Sequence, residues 1–166
     1  MVELNGTELT IEQVMAVARH KEQVRISEPA KQKIDRARAY VDEKLAQKAV
    51  IYGLTTGFGK FSDTFVPEQE TAALQRNLII SHACGMGAPL PREVVRGAML
   101  LRCNALARGN SGIRLSTLET LLAMLNRGVH PVVPEKGSLG ASGDLAPLSH
   151  LSLIHISEPT RPEPIS

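Results

Sequence analysis

Leu118, Leu121, Leu122 and Leu125 fall at the three-and-four spacing of one helix face, and that spacing returns along most of the chain. Ile11, Val14, Met15 and Ala18 repeat it, as do Ile34, Ala37, Val41 and Leu45. Such stripes can be buried together only on a helical backbone, so the chain reads as mainly α. Helix-start signals stand where the stripes begin. Thr10 followed by Gln13 fits a capping box, and Ser116 with Glu119 repeats that pattern. Ser27 suits an N-cap, with Glu28 and Pro29 in the first turn behind it. Further helices are predicted from near Pro67 to His82, from Pro91 to just before Gly109, and from near Ala146, with Asp144 at its cap. Leu74, Leu78 and His82 lie four residues apart on a stripe expected to face inward. Val94, Met99 and Leu101 mark the apolar side of the next helix.

Other stretches break the helical pattern. Val2-Glu3-Leu4 alternates like a short strand and ends at the Asn5-Gly6 turn. Residues 50 to 65 carry Gly53, Gly57 and Gly59 with Thr55 and Thr56, which suggests a loop. Asn126 to Gly137 is turn-rich, with Pro131 and Pro134. No internal repeat and no βαβ alternation is visible.

Composition excludes more than it identifies. The 166 residues suit one domain with a core. The formal net charge is +2, and Lys and Arg are mixed with Asp and Glu on what read as solvated helix faces. That pattern argues against a nucleic-acid partner. Cys84 and Cys103 are too few for a disulfide framework and read as buried free thiols. No apolar run is long enough to span a membrane, and no signal peptide is evident at the N-terminus, so a cytoplasmic protein is expected. His20, His130, His150 and His155 show no metal-ligand spacing, so no metal is expected, and all four read as non-catalytic. Gly59-Lys60 lacks the rest of a phosphate loop, because position 54 is Leu and position 61 is Phe.

Chemistry enters at Gly140-Ala141-Ser142-Gly143-Asp144. Gly143 has no side chain, so its amide nitrogen can fold back onto the carbonyl carbon of Ala141. Attack there closes a five-membered ring, and loss of water makes it an imidazolone. Loss of a second water from Ser142 leaves an exposed carbon–carbon double bond, a strong electrophile. An amide is a poor nucleophile, so the backbone must be pressed into shape. Gly140 and Asp144 are candidates for that clamp. Alone, Ala-Ser-Gly reads as an ordinary tight turn.

Four blocks in order decide between these readings. Gly137 to His150, Tyr52 to Gly59, Ser81-His82-Ala83-Cys84-Gly85 and Asn104 to Gly112 together resemble the histidine ammonia-lyase family, from about residue 2 to about residue 153. The resemblance implies the N-terminal part of the fumarase/aspartase-like helical lyase fold, with short strands and a loop carrying the tripeptide. It implies a self-made methylidene-imidazolone (MIO) group from Ala141, Ser142 and Gly143, with no dissociable cofactor. That group accepts the substrate's α-amino nitrogen and makes it a leaving group. The implied reaction is release of ammonia from L-histidine to give trans-urocanate. Family members are longer homotetramers with active sites shared between subunits.

The resemblance also gives roles to single residues. Tyr52 matches the base that removes the β-proton; a tyrosinate, ordinarily formed near ~10, needs a favourable environment to act at neutral pH. Without the resemblance, Tyr52 would read as a ring packed at a loop edge. His82 matches the position that meets the substrate side chain, and imidazole can exchange hydrogen bonds with imidazole. Relatives acting on tyrosine or phenylalanine, as lyases or aminomutases, remain alternatives, as does a non-catalytic helical fragment. Residues 1–153 read as the N-terminal domain without the family's central helical bundle. From Ile154 onward the chain departs from the family. Pro159, Pro162 and Pro164 make a helix implausible there. The string Ser152 to Pro162 looks like translated sequencing-adapter DNA, so 154–166 reads as a non-native tail; a native disordered tail is the alternative.

Overall fold

The computed structural model describes residues 1–47, 49–51, 68–138 and 145–156. In chain order its elements are β1 (Val2–Leu4), α1 (Ile11–Ala18), β2 (Val24–Ile26), α2 (Glu28–Ala46), α3 (Glu68–His82), β3 (Met86–Pro89), α4 (Arg92–Ala107), α5 (Leu115–Arg127), β4 (Pro134–Lys136) and α6 (Leu145–Ile156). Helices dominate, as the apolar spacing predicts. The chain divides into two compact units, one of residues 1–49 and 91–130, the other of 50–90 and 131–166.

The first unit is built around α4. Its side chains Val95, Met99, Leu100, Cys103, Leu106 and Ala107 are buried, and it packs on α1, α2, α5 and β1. Leu118, Leu121, Leu122 and Leu125 of α5 are all buried, as their spacing demands. Each such leucine contributes about 1.5–3 kcal/mol by leaving water. Other stripes are rotated from their expected faces. On α1, Val17 and Ala18 are buried while Ile11 is 78% exposed. On α4, Met99 is buried but Val94 and Leu101 are exposed. The stripe of α2 is buried at Ala30 and Ile34 and reaches solvent at Leu45.

The capping signals divide in the same way. Thr10 and Gln13 form the reciprocal capping box at α1, and the Ser27 hydroxyl accepts from the Ala30 amide at α2. The expected box at Ser116 and Glu119 is absent. Helix α5 begins two residues earlier, with Arg114 at its N-cap and no side-chain cap. Ser116 therefore lies inside the helix, where its carbonyl accepts from the Thr120 hydroxyl. Pro91 stands at the N-cap of α4, one residue outside its expected place.

The βαβ relation missed in the sequence is present at the start of the chain. Strands β1 and β2 pair in parallel, Val2 with Val24 and Leu4 with Ile26, and α1 lies between them in sequence. Asn126 completes the free edge of β2: its Oδ1 accepts from the Val24 amide and its Nδ2 donates to the Val24 carbonyl. Three residues of strand are too few to show a period of two.

One side chain of this unit departs from simple expectation. Arg96 is only 2% exposed. It donates from Nη2 to the Val17 carbonyl at 2.8 Å, from Nε to Ala18 at 3.2 Å and from Nη1 to Leu125 at 2.8 Å. The cation thus gathers carbonyls from the last turns of α1 and α5, where helix dipoles favour positive charge. Burial, with help from nearby Arg92, lowers its pKa from the usual arginine value. Of the two thiols, Cys103 is buried as expected but Cys84 is exposed. Burial pushes the Cys103 thiol up to about 12, so it stays protonated and unreactive at neutral pH.

The second unit contains α3, β3, β4 and α6. Strands β3 and β4 pair antiparallel, Met86 with Lys136 and Pro89 with Pro134, and the Leu90 amide continues the pairing to the Val133 carbonyl at 2.8 Å. These strands were not visible in the sequence, because Gly87, Pro89 and Pro134 interrupt any alternation. Helix α6 packs on α3. It runs to Ile156, so the expectation of no helix from Ile154 onward is corrected for Ile154 to Ile156, which precede the first tail proline, Pro159. Among the described residues, no helix is long and apolar enough to cross a membrane.

Candidate active site

Helix α3 presents His82 as its last residue. The helix closes where the Ala83 amide bonds back to Ile79 and Ile80 carbonyls. Leu74, Leu78 and His82 are each half-buried, which agrees with an inward stripe at the edge of a core. His82 Nδ1 lies 2.8 Å from the Leu78 carbonyl. A carbonyl only accepts, so Nδ1 carries the hydrogen in this contact, and a neutral ring then has its lone pair at Nε2. The Ser81 hydroxyl donates to the same Leu78 carbonyl at 2.7 Å and lies 3.0 Å from Nδ1. One face of the ring edge is thus tied to its own helix. Nε2 is the atom left to meet a second polar group.

Three residues past His82 the chain enters a tight junction. The Gly85 amide donates to His150 Nε2 at 3.0 Å. A side chain at Gly85 would place its Cβ 2.8 Å from that nitrogen and 3.0 Å from Cβ and Cγ of Pro134. Gly137 is equally confined: a Cβ there would lie 3.1 Å from both the Ala146 Cβ and the Gly85 Cα. Glycine at both positions is what permits this approach.

Gly137 and Ala146 flank the Ala141-Ser142-Gly143 tripeptide in sequence. The structure therefore brings both sides of that segment beside the turn that follows His82. The tripeptide itself, with Gly140 and Asp144, lies outside the described residues, and so do Tyr52 and the rest of the block to Gly59. Gly137, Gly85 and Ala146 stand close together on those flanks. The residues present on either side are compatible with the self-made group.

The Asn104 to Gly112 block belongs to the first unit. Asn104 is buried and accepts from the Gly6 amide at 3.1 Å. The Gly112 carbonyl accepts from Arg38 Nη1. Here the block joins α4 to the β1 turn and to α2, which is structural work. Among the described residues, no cluster of three metal-ligating side chains occurs. His150 was not singled out in the sequence as anything but non-catalytic. Its contact with Gly85 spans 65 positions, and no local pattern encodes it.

Known proteins agree with this layout. The family model for aromatic amino acid lyases matches residues 9–161. The chain is 59% identical over 155 residues to the histidine ammonia-lyase of Alkaliphilus oremlandii, covering 93% of this chain and 31% of that protein. Among solved structures it resembles histidine ammonia-lyase from Trypanosoma cruzi, with a TM-score of 0.82 and 40% identity over 92% of this chain and 28% of the other. It also resembles ergothionase from Treponema denticola, an ergothioneine-degrading enzyme, with a TM-score of 0.86 and 36% identity over 92% of this chain and 30% of the other. The chain thus spans about 30% of the length of the relatives it matches.

Proposed function

We propose, from the premise that this chain belongs to the aromatic amino acid lyase family, that it is the N-terminal part of a histidine ammonia-lyase. The full-length protein would release ammonia from L-histidine to give trans-urocanate, as a cytoplasmic homotetramer. The observation that carries this reading is the 59% identity to a histidine ammonia-lyase across 93% of the chain. The tie from His82 to Leu78, which leaves Nε2 for a second partner, supports it from the site. On this reading 1–153 is the N-terminal domain and 154–166 a non-native tail.

Each residue then has a task that its chemistry suits. Ala141, Ser142 and Gly143 supply the atoms of the MIO group, and Gly140 and Asp144 hold the backbone while the ring closes. Once formed, that group offers an electrophile to the substrate's amine, which unmodified side chains lack. Tyr52 takes the β-proton, which is too weakly acidic for a carboxylate base to remove readily. His82 reads the side chain. With Nδ1 bound to its helix, Nε2 accepts from the N–H of a substrate imidazole, and an apolar ring leaves that lone pair unanswered. A site that pairs polar groups rejects partners that leave them unpaired.

Substrate preference of the full-length protein tests this reading. Wild type is expected to convert histidine with a kcat/KM at least about tenfold above tyrosine or phenylalanine, and His82→Leu to reduce that preference by about tenfold or more. Tyrosine or phenylalanine as the preferred substrate of wild type would contradict the histidine assignment. An unchanged preference in His82→Leu would remove His82 from the binding role.

A further inference from the structure

His150 stands eight residues past Ser142, on the helix that follows the tripeptide. Its Nε2 accepts the Gly85 amide at 3.0 Å. We propose that His150 is a positioning residue: by holding Gly85 it fixes the turn that follows His82, and so sets where His82 meets the substrate. The proposal rests on the reading of His82 given above.

Three observations carry it. First, the contact has a direction. An amide can only donate, so Nε2 must be unprotonated and its lone pair is already engaged. That excludes His150 as a free general base and gives it a defined mechanical role. Second, the contact has no slack. A Cβ at Gly85 would lie 2.8 Å from the ring nitrogen and 3.0 Å from Pro134, so no side chain fits between the amide and these neighbours. Without that acceptor the half-buried amide loses the bond that ties its turn to α6. Only Ala83 and Cys84 separate Gly85 from His82, so little chain is available to absorb that movement.

Third, the same face of α6 makes a second contact. Ala146 and His150 are four residues apart, hence one above the other on the helix. Ala146 meets the space at Gly137, and His150 meets Gly85, while Gly137 itself abuts Gly85. The four residues form one junction in which α6, the strand end after β4 and the turn after α3 are held together. His150 is its only hydrogen-bonding side chain among the described contacts. Its loss would loosen the His82 turn while the Gly137–Ala146 packing stays.

The test uses the full-length protein with His150→Leu, His150→Gln and His82→Ala, alone and combined. Three readouts are taken: steady-state kinetics with histidine, the mass of the tripeptide peptide, and the melting temperature. His150→Leu is expected to raise KM about tenfold, the scale of one lost hydrogen bond, with kcat changed less and the MIO mass retained. His150→Gln carries an amide oxygen that can accept from Gly85 and is expected to recover most of the loss. In the His82→Ala background, His150→Leu is expected to add little, because coupled residues are not additive. Should the leucine variant not fold, the glutamine variant and its coupling to His82 decide the matter. Wild-type KM in His150→Leu, equal loss in the leucine and glutamine variants, or full additivity with His82→Ala would each overturn the proposal. A wild-type protein with neither MIO mass nor histidine turnover would instead overturn the lyase reading, and this proposal with it.

Discussion

Arg96 shows how much the meaning of a residue depends on what the fold places around it. In sequence it stands in Arg-Glu-Val-Val-Arg, a mixed-charge stretch that reads as a solvated helix face. In the structure it is buried and bound to three carbonyls from two other helices. Replacing it with Leu keeps much of the volume but leaves those acceptors without their donor. Arg96→Leu is expected to lower the unfolding free energy by about 3 kcal/mol, measured by chemical denaturation. Arg96→Lys is expected to recover only part, because one ammonium cannot reproduce the planar fork. A leucine variant as stable as wild type would show that the three contacts contribute nothing net. None of this was legible in the sequence, since carbonyl partners leave no side-chain signature. His150 was illegible for the same reason, as its partner is a backbone amide. His82 was legible because its position repeats the stripe of Leu74 and Leu78 and matches a family block.

At the scale of elements, the same short motif succeeded once and failed once. Thr10-Ile-Glu-Gln13 caps α1 from both sides, whereas Ser116-Thr-Leu-Glu119 sits inside α5. What differs is the residue where the backbone turns: it is extended at Thr10 and at Arg114, not at Ser116. Thr10→Ala is therefore expected to cost about 1 kcal/mol, while Ser116→Ala stays within about 0.5 kcal/mol of wild type. Thermal melts of the two variants check the contrast, and equal effects would contradict it. Strands were the least legible elements. Parallel β1 and β2 are three residues each and gain their stability from pairing and from Asn126, which lies 102 positions from Val24. Helix faces were legible in α5, where four leucines leave no choice. On α4 the pattern was ambiguous, and burial of Arg96 and Asn104 beside Met99 and Cys103 turned the helix away from its expected face.

At the scale of the whole molecule, the residues proposed to form the electrophile lie outside the described residues, and the fold describes only what stands on either side of them. Gly137 and Ala146 come together on either side of the tripeptide, beside the Gly85 turn that follows His82. That arrangement matches the demand of backbone cyclisation, which needs firm flanks more than reactive side chains. It was legible in part: the order of the four sequence blocks pointed to the family, but only the structure shows two of them meeting at Gly85. On the proposed reading, Ala141-Ser142-Gly143 converts itself into the electrophile. The most direct measurement is the mass of the peptide containing residues 141–143 from the active full-length protein. A deficit of two waters, about 36 Da, confined to those three residues is expected, with no methylidene in Ser142→Ala. An unmodified tripeptide in a protein that still releases ammonia from histidine would contradict it.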